Sequence, residues 1–401
     1  MSRGGQRRTD PPLSFEAVLA PCSLDQFRSE SLGKSPLHLR GPHGRFRRLL
    51  DWDGLSRLLE TCPLEPPRLR IVKSGKTIPP ERYLRHLGEM VSIDGGALSL
   101  LFRDGATAVI NVIDDLVPAI ATLADEIGDC LGGRPSVNAY ATWGDEAGLT
   151  AHSDYHDVLV LQLAGSKQWA IHRPTRTDPL RDDAFEPPSP DTPPYSVETL
   201  GDGDVLYLPR GWIHAPVPVG EPSLHLTISI TYPTGAGFLE WVSQQLRSDP
   251  RVRAAVPQQD PNGLAHWKDE LAGIVAEAIG GNAVERYLRH KLAQRTARPR
   301  FSFSDFGRLP PTEWDDSTIL RPASQHCFVV EIKEDGGGAL VAMGRSLPCS
   351  SGVAAALAGL SSTKPIALGD LKSGLTTEEA AELGQLLAML STFGLLETKR
   401  G

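Results

Sequence analysis

Two histidines and one aspartate form the group of residues in this chain best suited to chemistry. His152 and Asp154 lie two positions apart, and His214 ends the run from Gly203 to His214. Two imidazoles and one carboxylate are the facial triad that holds non-haem Fe(II) and leaves positions open for substrate and dioxygen. In an extended segment, residues two apart point to the same face, so His152 and Asp154 can bind one metal ion. The pattern predicts an iron site, although a His-x-Asp triplet alone also arises by chance.

Both ligand segments are predicted to lie at strand ends. After the triplet, the apolar run 157–164 predicts a strand, Gly165 and Ser166 a turn, and the residues from Gln168 a second strand. Before His214, residues 205–208 predict a short strand and residues 209–212 a turn. A small β-barrel or jelly roll would bring the two segments together.

Helices are predicted on both sides of these strands. Apolar residues recur at helical spacing at Leu116, Ile120, Leu123 and Ile127, so residues 113–131 should pack against the barrel. Residues 173–199 are rich in Pro and Asp and predict a long loop, either a lid or substrate wall or a solvated insertion. The other predicted helices and strands cover residues 52–60, 80–91, 237–246, 265–279, 282–296, 325–333, 340–343, 351–360, 368–372 and 377–393.

These segments resemble the JmjC-type, cupin-fold oxygenases that use Fe(II) and 2-oxoglutarate, and within them the ribosomal-oxygenase branch. The resemblance rests on residues 138–140, 152–157, 162–169, 203–214 and 224–227, and the order of segments is similar from about residue 14 onward. It implies an α+β fold whose catalytic core is a double-stranded β-helix, the jelly roll of cupins.

The resemblance also implies roles for single residues. His152, Asp154 and His214 would be the iron ligands, and Lys167 would pair with the distal carboxylate of 2-oxoglutarate. The polar groups of Asn138, Tyr140 and Thr227 would hydrogen-bond 2-oxoglutarate or a bound water, or else are satisfied within their strands. We expect His156 to lie behind the metal ligands, His225 to be a core or surface residue, and Trp169 and Trp212 to pack around the site.

The implied domains are a flexible tail (1–13), a JmjC/cupin catalytic domain (14–234), a helical dimerisation segment (235–300) and a winged-helix-like domain (301–401). The last predicted helix is acidic and apolar, so we expect this domain to dock a substrate or act as a scaffold, without direct nucleic-acid binding.

Composition agrees with a cytoplasmic enzyme, and the resemblance implies that it forms a homodimer. The net charge is −8, and the five cysteines are scattered and odd in number, which favours reduced thiols. No apolar run is long enough to span a bilayer, and the N-terminal residues lack the apolar stretch of a signal peptide.

The predicted activity is oxidation by Fe(II), 2-oxoglutarate and O2, with hydroxylation of a protein such as a ribosomal protein as the expected outcome. Demethylation is compatible with the same motifs. Three alternatives stay open: a small-molecule hydroxylase of an amino acid or natural product, a non-catalytic cupin-like binding protein, and a different metallocupin such as an isomerase.

Overall fold

The computed structural model describes residues 13–88, 90–144, 148–189, 191–293, 314–323, 327–332, 337–343, 345–360 and 364–399. The chain divides into two compact units, residues 1–232 and 233–401. All five cysteines are free thiols. In the part of the chain that the structure describes, no helix combines the length and the apolar character needed to cross a bilayer. The predictions for residues 1–12 and 294–313 lie outside the described residues.

Antiparallel strands dominate the first unit. The large sheet has eight strands in the order β1-β11-β8-β13-β7-β6-β2-β3, the small sheet has the order β10-β9-β12, and β4 and β5 form a separate hairpin. The strands are β1 (Leu37–Leu39), β2 (Leu69–Lys73), β3 (Lys76–Thr77), β4 (Leu84–Leu87), β5 (Met90–Ile93), β6 (Thr107–Ile110), β7 (Arg134–Thr142), β8 (Asp157–Ala164), β9 (Lys167–His172), β10 (Ser196–Leu200), β11 (Val205–Leu208), β12 (Ile213–Pro218) and β13 (Ser223–Thr231).

Strand β8 is apolar without a break from Val158 to Leu161, because both of its faces are buried there. Leu159 and Leu161 point into the main core beneath the large sheet. Val158 and Val160 point the other way, into a smaller core that includes Trp169 of β9. Because neighbouring residues of a strand point to opposite faces, an uninterrupted apolar run fits a strand between two packed layers. The predicted strand, turn and strand from residue 157 onward are confirmed in position.

Buried residues of the helices of the first unit share the main core with the large sheet, and α5 packs directly against β7. Helix α5 begins at Pro118, a residue favoured at the first helical position, and ends before Gly132, which has φ +69°. Its predicted apolar positions Ile120, Leu123 and Ile127 are buried in the main core, but residues 113–115 form a separate 3-10 turn. The helices are α1 (Phe15–Leu19), α2 (Leu24–Gln26), α3 (Trp52–Thr61), α4 (Gly95–Arg103) and α5 (Pro118–Leu131), with a π-helical turn at Phe27–Ser31.

The prediction of an unbroken loop at 173–199 is wrong at its C-terminal end. Strand β10 begins at Ser196 and pairs with β9 along its whole length, from Ser196 opposite Ile171 to Leu200 opposite Lys167. Burial alternates weakly along it, and Val197 is half exposed, because β10 is the edge strand of the small sheet. The Pro and Asp residues upstream led to a loop prediction for the whole segment, although its last residues form a short strand.

The second unit begins with helices and continues as a mixture of short strands and helices. Trp241, Val242 and Tyr287 form a small cluster between its first and later helices. A separate core contains Leu320, Leu340, Leu357, Leu387 and other residues of the C-terminal part. The elements are α6 (Gly235–Leu246), α7 (Pro250–Arg253), α8 (Pro261–Ile279), α9 (Ala283–Ala293), β14 (Ile319–Pro322), β15 (Val329–Ile332), β16 (Gly338–Ala342), β17 (Arg345–Cys349), α10 (Ser351–Ala358), β18 (Ile366–Ala367), α11 (Leu368–Lys372), α12 (Thr377–Thr392) and β19 (Leu396–Lys399).

Candidate metal centre

The backbones of His152 and His214 pair directly. The amide of His152 donates to the carbonyl of His214 at 3.1 Å, and the amide of His214 donates to the carbonyl of His152 at 2.8 Å. A third bond joins the same segments, because the amide of Gly211 donates to the carbonyl of Asp154 at 2.8 Å. The turn before β12 is therefore fastened to the His-x-Asp segment, which explains how residues far apart in sequence meet.

The three predicted ligands come together in one group. One ligand atom from each of His152, Asp154 and His214 can be chosen so that all lie within 4.8 Å of one another. Nε2 of His214 lies 3.6 Å from Oδ2 of Asp154. In the described residues this is the one group of three or more His, Cys, Asp or Glu side chains with such spacing. The donor set and its compactness fit a divalent transition metal.

Backbone carbonyls fix the tautomer of both imidazoles. Nδ1 of His152 donates to the carbonyl of Thr150 at 2.8 Å, and Nδ1 of His214 donates to the carbonyl of Trp212 at 3.2 Å. A carbonyl only accepts, so each Nδ1 carries a proton, and in the neutral ring Nε2 then keeps its lone pair. Carbonyls behind metal-bound histidines commonly hold the ring in this way.

Charge favours a bound cation at this place. Burial first, and then the neighbouring imidazole of His152, lower the pKa of His214 to about 4, so this ring is neutral near pH 7. Neutral imidazole is the form that binds metals. The carboxylate of Asp154 supplies the negative charge, and a divalent ion would be balanced by it only in part.

His156 lies beside this group but outside it, as expected. Its Nε2 is 3.8 Å from Oδ1 of Asp154, and its Nδ1 is 3.3 Å from the carbonyl of Asp157. The carboxylate of Asp157 is buried and accepts hydrogen bonds from the hydroxyl of Tyr207 at 2.5 Å and the amide of Arg210 at 2.9 Å. Asp157 therefore joins the strand after the triplet to the turn before His214.

A cavity runs from the three ligands to Lys167 at the start of β9. The ammonium of Lys167 is buried and donates to the hydroxyl of Thr142 at 3.1 Å, and this hydroxyl lies 3.0 Å from that of Thr107. Burial lowers the pKa of Lys167 to about 8, so the group is still largely a cation near pH 7. A buried ammonium with one hydroxyl partner has donors left for an anion. The cavity is lined by residues of both sheets and the 148–156 segment: Thr107, Asn138, Tyr140, Gly148, Leu149, His152, Asp154, His156, Val158, Lys167, Trp169, His214, Pro216, His225, Thr227 and Ser229.

Asn138, Tyr140 and Thr227 all line this cavity. Asn138 is opposite Thr227 in the register of β7 and β13. Its Oδ1 accepts a hydrogen bond from the amide of Val112 at 3.0 Å, which leaves its NH2 group to face other partners. Val112 has φ +51°, a strained value for a β-branched residue, and this turn aims its amide at Asn138.

Sequence reasoning missed three residues near Lys167 and on the cavity wall. Thr107 and Thr142 extend the hydroxyl contacts of Lys167, and His225 lines the wall although its isolated position favoured packing. Strand alternation from Asn138 and Tyr140 points to Thr142, but Thr107 carries no such signal. The packing expected of Trp169 and Trp212 is confirmed, since both belong to the smaller core.

Comparison with known proteins identifies the domain. Residues 116–238 match the family model of the JmjC domain. Ribosomal oxygenase 1 of Rattus norvegicus is 30% identical over 57% of this chain and 38% of its own length. Ribosomal oxygenase 2 of Bos taurus is 38% identical over 47% of this chain and 41% of its own length. The chain thus spans less than half the length of these relatives.

A solved structure shares the fold over nearly the whole chain. The ribosomal oxygenase YcfD of Escherichia coli, in complex with cobalt and 2-oxoglutarate, has a TM-score of 0.58 at 19% identity. The match covers 94% of this chain and 98% of that chain. At this level of identity the likeness concerns the fold.

Proposed function

This chain carries a JmjC domain of the ribosomal-oxygenase type, and from that premise we propose that it is an Fe(II)- and 2-oxoglutarate-dependent oxygenase. The observation that carries the proposal is the cavity with a His-Asp-His group at one end and a buried ammonium at the other. A metal ion alone needs only the His-Asp-His group. A dicarboxylate that binds the metal through one end also needs a cation, such as the ammonium of Lys167, for the carboxylate at its other end.

His152, Asp154 and His214 would hold the iron. The Nδ1 protons of His152 and His214 are donated to carbonyls, so in the neutral rings both Nε2 atoms have a lone pair for the metal, and Asp154 adds the single charge. With 2-oxoglutarate and O2, iron in such a site supplies an oxidant able to attack an unactivated C–H bond. The chain itself would hold the three ligands around the iron and leave its other positions open.

Lys167 would bind the distal carboxylate of 2-oxoglutarate. Thr142 and Thr107 hold the ammonium in place, and burial makes its attraction for an anion stronger than at the surface. Asn138, Tyr140 and Thr227 would place hydrogen-bonding groups along the rest of the co-substrate.

Hydroxylation of a protein is the reaction we infer, with a ribosomal protein as the substrate class. Two facts support it: the similar proteins named ribosomal oxygenases, and the net charge of −8, which suits a cationic partner. A relative in Drosophila persimilis, 35% identical over 53% of this chain and 31% of its own length, is named a lysine-specific demethylase and histidyl-hydroxylase, and both reactions use the same oxidant.

We assign residues 14–234 to the catalytic domain, 235–300 to a helical dimerisation segment and 301–401 to a winged-helix-like domain, with a tail at 1–13. Support for a homodimer comes from apolar side chains left exposed on the helices of the second unit, among them Leu239 on α6 and Val284 and Leu288 on α9. The free thiols agree with a cytoplasmic location.

The test is succinate formation by the purified protein with Fe(II), 2-oxoglutarate and dioxygen, with and without a pool of ribosomal-protein peptides. We expect turnover that rises with the pool and is lost in a His214→Ala variant. A His172→Ala variant is the control, because His172 lies on β9 but does not line the cavity.

Two other outcomes would point elsewhere. Turnover that depends on His214 but ignores the peptides would favour a small-molecule substrate. Absence of turnover under every condition, with metal and 2-oxoglutarate bound, would favour a binding protein.

A further inference from the structure

His225 stands between Lys167 and the metal ligands on the cavity wall. In the register of β7 and β13, Thr142 pairs with Ser223 and Tyr140 pairs with His225. Thr142 contacts Lys167, so the Tyr140 and His225 pair is the next position along the strands, at roughly 7 Å. The ring of His225 lies flat against that of Tyr140, with centroids 4.9 Å apart and an interplanar angle of 2°.

Trp169 occupies the same level on the opposite sheet. Along β9, Lys167, Trp169 and Ile171 point inward in turn, and Ile171 is opposite His214. The indole of Trp169 meets the ring of His225 edge-on, with centroids 5.6 Å apart. A molecule that extends from the metal ligands to Lys167 therefore passes between Trp169 and His225.

Two buried nitrogens at this level have no hydrogen-bond partner among the described residues. They are Nδ1 of His225 and Nε1 of Trp169, and both side chains are almost completely buried, at 2% and 3% exposure. A buried polar atom without a partner costs about 1–3 kcal/mol, so such atoms usually meet a ligand or an ordered water. Both side chains line the cavity, which identifies where that partner would be.

His225 is a neutral donor. Burial, and then the charge of Lys167, lower its pKa well below the usual value, so one ring nitrogen carries a proton and the other accepts. A neutral imidazole next to an ammonium can donate to an anion without adding a second charge to be neutralised.

We propose that His225 donates a hydrogen bond to the distal carboxylate of 2-oxoglutarate, beside Lys167, and so sets the affinity for this co-substrate. The proposal rests on the proposed function. Lys167 supplies the positive charge. His225 supplies an oriented N–H donor on the cavity wall between the ammonium and the metal ligands. Stacking on Tyr140 and contact with Trp169 hold the ring in that orientation.

The test measures ligand binding by calorimetry on protein loaded with Mn(II), so that no turnover is needed. In a His225→Phe variant the ring and its stacking on Tyr140 remain, but both nitrogens are lost. We expect the Kd for 2-oxoglutarate to rise about tenfold, the effect of one hydrogen bond to a charged group. The Kd for 2-oxopentanoate, which has a methyl in place of the distal carboxylate, should change less than about twofold.

Further variants separate the hydrogen bond from packing. His225→Leu is a second variant without a donor, in case His225→Phe does not fold, and His225→Asn returns a short N–H donor that should recover part of the affinity. His172→Phe is the matched control, since His172 faces away from the cavity on β9. Each variant should bind Mn(II) alone as the wild type does.

Equal losses for both ligands would overturn the proposal, because they would show a general change of the cavity, and so would unchanged binding of 2-oxoglutarate. If the wild type itself does not bind 2-oxoglutarate with metal present, the proposed function fails and not merely this inference.

Discussion

At the scale of single residues, the carboxylate of Asp154 is what makes a metal site of two histidines that already pair through their backbones. We predict that Asp154→Ala lowers the affinity for Mn(II) by more than about a hundredfold, because even residues behind the ligands change affinity by about 10–100-fold. Titration of the metal-free protein, followed by the Mn(II) signal in electron paramagnetic resonance, measures the change.

His156→Ala is the comparison for this variant. His156 approaches Asp154 at 3.8 Å but lies outside the group of three, so its loss should cost about tenfold or less. An effect as large as that of Asp154→Ala would place His156 among the ligands.

The ammonium of Lys167 gives 2-oxoglutarate binding a pH dependence. Its pKa is lowered to about 8 by burial, and only the protonated form attracts a carboxylate. Affinity should therefore be full below about pH 7.5 and fall by at most about tenfold per pH unit above about 8. Calorimetry with Mn(II)-loaded protein across this range measures it.

Removing the charge should remove the dependence. In Lys167→Met the Kd for 2-oxoglutarate should rise about 10–100-fold and no longer vary between about pH 7 and 9, since a hydrogen bond to a charged group contributes about 1.5–3 kcal/mol. A variant that kept the slope of the wild type would assign the titration to another group.

Residue types predicted the ligand group better than they predicted its surroundings. His152, Asp154 and His214 are of a type and spacing that suit one metal, and the structure brings them together. His225 has no such signal. Whether a histidine in an alternating strand faces a cavity depends on the register with its neighbours, and register is set by the whole sheet.

At the scale of elements, the turn from Pro209 to Trp212 joins the small sheet to the ligand segment. Gly211 has φ +82°, and a Cβ there would lie 2.7 Å from the carbonyl of Arg176. We predict that Gly211→Ala lowers the free energy of unfolding by about 1–3 kcal/mol. It should also weaken Mn(II) binding, because the amide of Gly211 donates to the carbonyl of Asp154. Chemical unfolding and metal titration of one preparation give both values.

Gly95→Ala is the control in the same unit. Gly95 starts α4 without a positive φ, and a Cβ there meets no atom within 4 Å. This variant should unfold and bind metal as the wild type does. A similar loss in both variants would mean that the effect does not come from the turn.

Elements were predictable where their pattern is local. Strands β8 and β11 lie where their apolar runs place them, and α5 shows its helical spacing. Strand β10 was not predictable in this way, because an exposed edge strand needs no apolar face and is identified only by its pairing with β9.

At the scale of the whole molecule, every residue that lines the cavity belongs to the first unit, residues 1–232. We predict that a chain ending at Tyr232 binds Mn(II) and 2-oxoglutarate with the Kd of the full chain, within about threefold, because binding free energy comes from local contacts. Calorimetry on both chains makes the comparison.

Turnover on a protein substrate is the quantity we expect to depend on the second unit. Equal binding with lost activity on peptides would assign substrate docking or assembly to residues 233–401. A shortened chain that folds by circular dichroism but binds no metal would show that the second unit completes the site.

The pair of backbone bonds between His152 and His214 has a consequence for how the metal enters. Two ligands already joined through their main chains lose little freedom when an ion arrives, so the centre is preorganised and binding should be fast. The amide hydrogens of His152 and His214 should then exchange slowly with deuterated water in the metal-free protein, and slow only slightly more when Mn(II) is added. Rapid exchange of these amide hydrogens before metal addition would instead mean that the two backbone hydrogen bonds form only when the ion binds.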